Sequence, residues 1–359
     1  MSDQAYEKLA KVLDTLPNGF PRTESGVEIK LLKKIFTPDE ADLAADLRLN
    51  FETADQIAAR TGRPIEGLAD KLHEMWQKGQ IRGIEFGPMK VFQLLPWVFG
   101  IFEFQVNRMD REMAELNEKY YQSFGRQFFE NKPQLMHVVP VERDIPVAHQ
   151  ALPYEQVSAI IEKGQSFGLE SCVCKKEKRL LGEPCDRPEE VCLGIAPVPG
   201  VFDNYPWGRS ITKEQAYEVL RQAEENALVH LTYNIQNDQF FICNCCGCCC
   251  GVLRSINELG VSAAVNSAYY AEIDPELCTA CGTCLDERCQ IAAIEEGDDA
   301  YRVITDKCIG CGLCVSTCPG EAIHLVRKPE AEIVPPPIDQ HLWYEARGAA
   351  RGVDFSAHK

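Results

Sequence analysis

Several familiar signatures are missing from this chain of 359 residues, and each absence narrows what it does. There is no phosphate-cradling G-x-x-x-x-G-K-[ST] loop and no G-x-G-x-x-G following a strand, so nucleotide and dinucleotide chemistry have no evident seat. Long apolar runs are absent too: the longest uncharged apolar run, Val91 to Phe102, contains Pro96 and is too short to span a bilayer. The opening MSDQAYEKLAKVL lacks a basic segment followed by an apolar one, which gives the expectation of a cytoplasmic protein. Positive charge is scarce. With 37 Lys and Arg against 54 Asp and Glu, the formal net charge of −17 argues against general affinity for nucleic acid or anionic membranes. The same acidity suits a carrier steered onto a basic partner surface, and equally suits plain solubility.

What the chain has in abundance is cysteine, eighteen residues of it. In a reducing compartment so many thiols point to metal, not to disulfides, and oxygen-sensitive clusters point to an anaerobic host. The most ordered run is CTACGTCLDERC, followed further on by CIGCGLCVSTCP. Cys278, Cys281 and Cys284 stand three apart with Cys289 behind them; Cys308, Cys311 and Cys314 repeat the spacing, with Cys318 and Pro319 behind. Two residues between thiolates let a tight loop wrap one corner of an iron–sulfur cluster, so that three sulfurs converge on three irons. A zinc ribbon uses pairs of such ligands and needs neither the third cysteine in step nor the trailing Cys-Pro.

On these motifs, residues 270–328 resemble a bacterial-type dicluster ferredoxin domain. The resemblance implies that each cluster takes its fourth ligand from the far end of the other run. Cys278, Cys281, Cys284 and Cys318 then hold one [4Fe–4S] cluster, and Cys308, Cys311, Cys314 and Cys289 the other. One departure is visible: four residues, not three, separate Cys284 from Cys289, and Gln290 stands where proline is expected.

The other ten cysteines fall within 172–250: Cys172, Cys174, Cys185 and Cys192, then Cys243, Cys245, Cys246, Cys248, Cys249 and Cys250 in ICNCCGCCCG. Read by threes, Cys243, Cys246 and Cys249 repeat the cluster grip, with Cys245 and Cys248 as an offset pair. Two interleaved sets completed by sulfurs of the 172–192 group make these candidate ligands of a third and a fourth cluster. Two alternatives stay open: a four-thiolate zinc site at Cys172, Cys174, Cys185 and Cys192, and a redox-active disulfide among the adjacent pairs Cys245-Cys246 and Cys249-Cys250.

The expected fold is α+β and multidomain. Residues 1–27 form an N-terminal helix, and 28–104 read as a winged-helix-like domain. There Thr37…Glu40 and Thr53…Gln56 mark helix starts, and 81–95 form a hairpin. Residues 105–150 form a connecting helix and linker, 151–268 a small Cys-rich α+β domain with a strand or two between 228 and 242, and 269–328 the dicluster ferredoxin fold. Residues 329–359 are expected to be an extended tail anchored by Trp343 and Tyr344. The last helix of the winged-helix-like unit balances Lys71 and Lys78 against Glu66, Asp70 and Glu74, so protein docking or homodimer formation is favoured over duplex binding. The CxC…C…C element, GRSITKEQAYEVL, ICNCCGCCCG and the terminal cysteine runs together resemble a family of iron–sulfur proteins of anaerobes known as 4Fe–4S dicluster proteins. That resemblance implies electron transfer beside a larger redox enzyme. The leading expectation is therefore an electron-transfer protein serving a partner oxidoreductase complex. The alternatives are an iron–sulfur reductase with its centre near Cys243–Cys250 and a redox-sensing regulator.

Overall fold

Capping chemistry sets the first elements. Thr37 and Thr53 each accept a backbone N–H from the residue three further on, and the Glu40 and Gln56 side chains return the bond. They open α3 (Pro38–Ala44) and α4 (Ala54–Thr61), which join α1 (Ser2–Thr15), α2 (Val27–Ile35) and α5 (Leu68–Gln77). A hairpin of β1 (Arg82–Phe86) and β2 (Met89–Gln93) follows, with Phe92 also bridged to Glu52. The helix starts at Thr37 and Thr53 and the hairpin fall where the sequence pattern predicts them, whereas the N-terminal helix stops at Thr15, short of the expected 27. The computed structural model describes residues 2–141 and 151–359; positions 142–150 of the expected linker lie outside the described residues.

The 20-residue helix α6 (Arg111–Glu130) then leads to a seven-stranded sheet of order β6-β4-β5-β8-β7-β3-β9. Its strands are β3 (Met136–Val138), β4 (Ser166–Ser171), β5 (Glu190–Ala196), β6 (Gly208–Ile211), β7 (Val229–Tyr233), β8 (Phe241–Cys245) and β9 (Val265–Asn266). Every pairing is antiparallel except β3 with β9. Helices α7 (Val157–Lys163), α8 (Val173–Leu181), α9 (Lys213–Glu225) and α10 (Gly251–Asn257) connect the strands. The sequence pattern predicts only the β7–β8 part of this sheet. Beyond it, β10 (Tyr269–Ile273) pairs with β13 (Ile323–Arg327), and β11 (Ile294–Glu295) with β12 (Arg302–Val303).

The tail departs from its expectation. Only its first part runs extended, where Gln236 and Asn237 donate to the carbonyls of Pro337 and Ile338. Residues Gln340–Arg351 form a helix, α11, capped by the Asp339 side chain. The reason lies in what it buries. Trp343 is fully buried and donates to the Gln134 carbonyl at 2.8 Å, and Arg347, also fully buried, donates to the carbonyls of Phe128, Asn131 and Pro133. The C-terminal carbonyls of α6 thus find a cation. One apolar core runs from Tyr6 through α6 and the sheet to Trp343 and takes in Ile291, Ile309 and Leu313.

Helix α6 also braces the cysteine-bearing helices. Arg254 of α10, with its side chain 4% exposed, donates to both carboxylate oxygens of Glu118 at 2.7 and 2.9 Å and lies 4.5 Å over the Tyr121 ring. Lys178 of α8 reaches Glu118 at 3.4 Å, and Asn117 donates to Glu177 at 2.8 Å. Burial opposes the Glu118 charge, yet Arg254, Gln122 and Lys178 hold its carboxyl down to about 2. Replacing Glu118 by Gln leaves the buried guanidinium with Glu258 as its remaining carboxylate, a change worth about 1–3 kcal/mol. We expect a lower urea midpoint for that variant. A depressed pKa stabilises above the unfolded value, so the wild type loses this contribution as pH falls from about 4.5 towards 2, while Glu118→Gln shows a shallower acid slope.

Candidate metal centres

In the carboxy-terminal segment the two strand pairs hold the two cysteine loops between them. Cys289, Cys308, Cys311 and Cys314 line one cavity of about 20 Å³, sheathed by Ile291 and Ile309. Backbone amides aim at the sulfurs: Ala271 and Gly310 at Cys308 (3.4 and 3.5 Å), Ala293 at Cys289 (3.1 Å) and Ala322 at Cys318 (3.3 Å). Such donors favour the thiolate that a metal requires. Burial pushes the Cys311 thiol up to about 12 and Cys284 up to about 11, so metal uptake there must expel protons. Cys278 and Cys281 lie close enough to Cys284 to add to its shift. Gly320, just past Cys318, presses on this loop: a Cβ there would meet the Leu277 carbonyl at 2.8 Å. His324 faces Glu272 across the β10–β13 pair with a half-exposed ring, in keeping with its reading as a strand residue and not a ligand.

The other ten cysteines divide into six and four. Cys172, Cys174, Cys250, Cys245, Cys243 and Cys192 form a closed ring in which each thiol interacts with the next. All six line a single cavity of about 90 Å³. Their placement follows from the elements. Cys172 is the N-cap of α8 and Cys174 sits in its first turn; Cys250 is the N-cap of α10. Cys243 and Cys245 are two apart on β8 and share a face. Leu193 opposite Ile242 brings Cys192 of β5 alongside Cys243. Bonds from Cys174 and Cys192, with Lys175 nearby, hold Cys172 well below the usual thiol range. Six sulfurs around one enclosed space, with a cation beside them, fit an iron–sulfur group in donor type and in room.

The four others, Cys185, Cys246, Cys248 and Cys249, gather with all sulfurs within 4.8 Å of one another. Pair distances are 3.3 Å for Cys246–Cys248, 3.6 Å for Cys185–Cys248 and Cys248–Cys249, and 3.8 Å for Cys185–Cys246. Among the described residues no other set of potential metal ligands is drawn so tightly together. This partition corrects the reading by threes, which groups Cys243, Cys246 and Cys249, and the zinc alternative that joins Cys185 to Cys172, Cys174 and Cys192. The cause is that β8 ends at Cys245. The strand's cysteines and Cys250 at the start of α10 join the ring, whereas Cys246, Cys248 and Cys249 in the turn between them gather with Cys185. All eighteen thiols are free, including the adjacent pairs.

Sequence reasoning missed the residues of a second chamber, of about 130 Å³, that touches the ring through Cys192 and Cys243. Arg82, Glu103, Glu170 and Tyr205 line it, among aromatic side chains. Burial raises Glu103 to about 8 against the pull of the Gly100 N–H, and Glu170 to about 7 against the bond from Tyr205. No short motif links these positions; only the sheet order brings them together. One motif does occur by letters alone. Gly164–Gly168 reads G-x-S-x-G, but Ser166 opens β4 and its hydroxyl donates to the Val198 carbonyl, so it forms no strand-to-helix elbow.

Comparison with known proteins bears on the carboxy-terminal segment. A 4Fe-4S binding domain is recognised over residues 301–324. A ferredoxin of Hydrogenibacillus schlegelii, named as a 7Fe ferredoxin, is 38% identical over 55 residues, 15% of this chain and 69% of that protein. The chain belongs to the ferredoxins. An uncharacterized ferredoxin of Methanocaldococcus jannaschii is 34% identical to this ferredoxin over 84 residues, 23% of this chain, so the match spans about half, 49%, of that relative. No solved structure matches this ferredoxin significantly.

The departure at Gln290 has a structural reason. Its side chain accepts the Gly247 N–H at 3.0 Å, between Cys246 and Cys248, and its carbonyl accepts from Asn257 at 3.0 Å. Proline there has no such side chain to offer. A Cβ on Gly247 would lie 1.9 Å from the Gln290 carbonyl oxygen. Gln290→Ala strands one amide, at a cost of about 1–3 kcal/mol. Gly247→Ala forces the two loops apart and is expected to lower the thermal midpoint further. In both variants, metal at the Cys185–Cys249 group is expected to be lost to chelator faster than the colour of the carboxy-terminal clusters. Equal loss at both places contradicts the assignment of Gln290 as a local bridge.

Proposed function

We propose that this ferredoxin relays low-potential electrons, one at a time, to or from a partner oxidoreductase through three iron–sulfur centres. Two are [4Fe–4S] clusters, one on Cys278, Cys281, Cys284 and Cys318 and one on Cys308, Cys311, Cys314 and Cys289. The third sits within the six-thiol ring. The observation that carries the relay is the Gln290 bridge, because it seats the turn that joins the ring residues Cys245 and Cys250 directly on the loop behind Cys289. When bound, such clusters take up and release single electrons at potentials set by charge, hydrogen bonds to sulfur and exposure. The chain's own part is to supply thiolates, aim amides at them, and exclude water with Ile291, Ile309 and Leu313.

Cys185, Cys246, Cys248 and Cys249 are assigned on this reading to one zinc ion. A tetrahedron of sulfurs each about 2.3 Å from a central ion has edges of about 3.8 Å, which is the spacing they approach. The front helices and hairpin are assigned as a winged-helix-like docking or dimerisation module. Supporting this over duplex binding, Lys71 and Lys78 both spend their charge on the buried Glu40, at 3.0 and 2.8 Å. The net charge of −17 suits a basic partner surface.

A second reading is favoured by one specific observation: the 130 Å³ chamber against Cys192 and Cys243 gives a substrate room beside the ring, so the ring is also a candidate site of reduction. Metal analysis of anoxically purified protein tests the assignments. We expect about twelve irons with matching sulfide and one zinc per chain, and Cys185→Ser losing the zinc with its iron unchanged. Fewer than about eight irons contradicts the two carboxy-terminal clusters, and about sixteen irons without zinc contradicts the single-ion assignment.

A further inference from the structure

The two chambers beside the cysteine-rich sheet differ in kind. The smaller is walled by the six ring thiols, which the proposed function assigns to a metal group. The larger shares Phe99, Glu103, Val173, Cys192 and Cys243 with it, and extends away towards β1 and α11, where Tyr344 and Gln340 close its wall. A chamber filled by the metal group itself would need no second lobe.

Its polar content is asymmetric. Arg82, the first residue of β1, lines it with a guanidinium whose contacts are the ring faces of Phe51 at 5.8 Å and Phe240 at 5.5 Å. Among the described residues the Arg82 side chain makes no hydrogen bond and no ion pair. Glu170, the acid whose field reaches it, accepts from Tyr205 instead. Glu103 is turned to the Gly100 amide. The Arg82 side chain is partly buried, and a guanidinium whose donors meet no protein acceptor is free to turn them to an anion that enters. The rest of the wall is aromatic: Phe99 and Phe241 lie 5.2 Å apart, and Phe104 stacks on Trp207 at 3.9 Å. A volume of 130 Å³ is close to the roughly 150 Å³ of an apolar cavity that takes up benzene, so the occupant is about one six-membered ring in size.

We propose that this chamber binds a small planar carboxylate, aromatic or conjugated, with its carboxylate on the Arg82 guanidinium and its flat body between the aromatic walls, facing Cys192 and Cys243. The inference rests on the reading of the ring as a site of reduction, and it supplies the substrate class. Saturating one conjugated C=C bond of such a body takes two electrons, which a centre held by the ring would supply one at a time, and two protons, for which Glu103 and Glu170 line the chamber. A bidentate guanidinium–carboxylate contact fixes which end faces the sulfurs.

The test is binding of benzoate, sorbate and, as a neutral control, benzyl alcohol to anoxically purified full-length protein, followed by calorimetry and by quenching of tryptophan fluorescence. Benzoate and sorbate are expected to bind at least tenfold more tightly than benzyl alcohol. Arg82→Gln is expected to abolish that preference while iron content and circular dichroism stay as in the wild type, and Arg82→Lys to restore part of it. Absence of carboxylate binding, or equal binding of benzoate and benzyl alcohol by the wild type, overturns the proposal without needing any variant. The reading it rests on fails separately: Cys192→Ser and Cys243→Ser with unchanged iron content would remove the ring as a metal site while leaving carboxylate binding in place.

Discussion

A thiolate taken out of water must meet a positive partner or give up its charge, and this chain takes many sulfurs out of water. Burial drives Cys284, Cys311 and Cys314 towards the neutral thiol, and only iron or a comparable cation reverses that preference. Around this constraint the local architecture makes sense. Amides of Ala271, Ala293, Gly310 and Ala322 point at sulfur, Cys172 caps a helix, and Lys175 supplies charge beside Cys172 and Cys246. The folded chain is in this sense half of a bond whose other half is metal.

Such a site must also be held still, and remote segments do this. Helix α6 anchors α10 and α8 through Glu118, Arg254 and Lys178, so the helices carrying Cys250 and Cys174 are tied to one support. The carboxy-terminal helix α11 clamps the other end of α6 through Arg347, and Arg351 reaches back to Asp14 of α1 at 3.0 Å. Arg288, beside Cys289, donates to the carbonyls of Glu224 and Glu225 at the end of α9, joining the carboxy-terminal segment to the sheet's helical layer. The shared core makes the cysteine regions, the front helices and the tail mechanically continuous.

How much of this the sequence discloses depends on how local the signal is. Capping boxes at Thr37 and Thr53 are visible because both partners lie within three residues, and each opens the helix predicted from it. The cysteine runs of the ferredoxin segment are legible for the same reason: CxxCxxC is a local grip. The sheet is not, since β4 and β5 carry glycines and cysteines in short mixed runs whose pairing is decided by partners far along the chain. The same non-locality hides the split of ten cysteines into six and four, which depends on where β8 stops. It hides Arg82 as well, a residue of the front hairpin that lines a chamber walled by β4 and β5. The tail reads as extended because its first half is proline-rich, while the burial of Trp343 and Arg347 that makes its second half helical depends on α6.

The central claim is that two separate cysteine regions cage iron and sulfide, and that the ring is a centre in its own right. Mössbauer spectroscopy of full-length protein enriched in ⁵⁷Fe and kept anoxic addresses it most directly. The account expects clusters of the carboxy-terminal segment together with a further component, and in a Cys192→Ser, Cys243→Ser double variant the loss of that component alone. A wild-type spectrum fully described by the carboxy-terminal clusters, or one unchanged in the double variant, contradicts it.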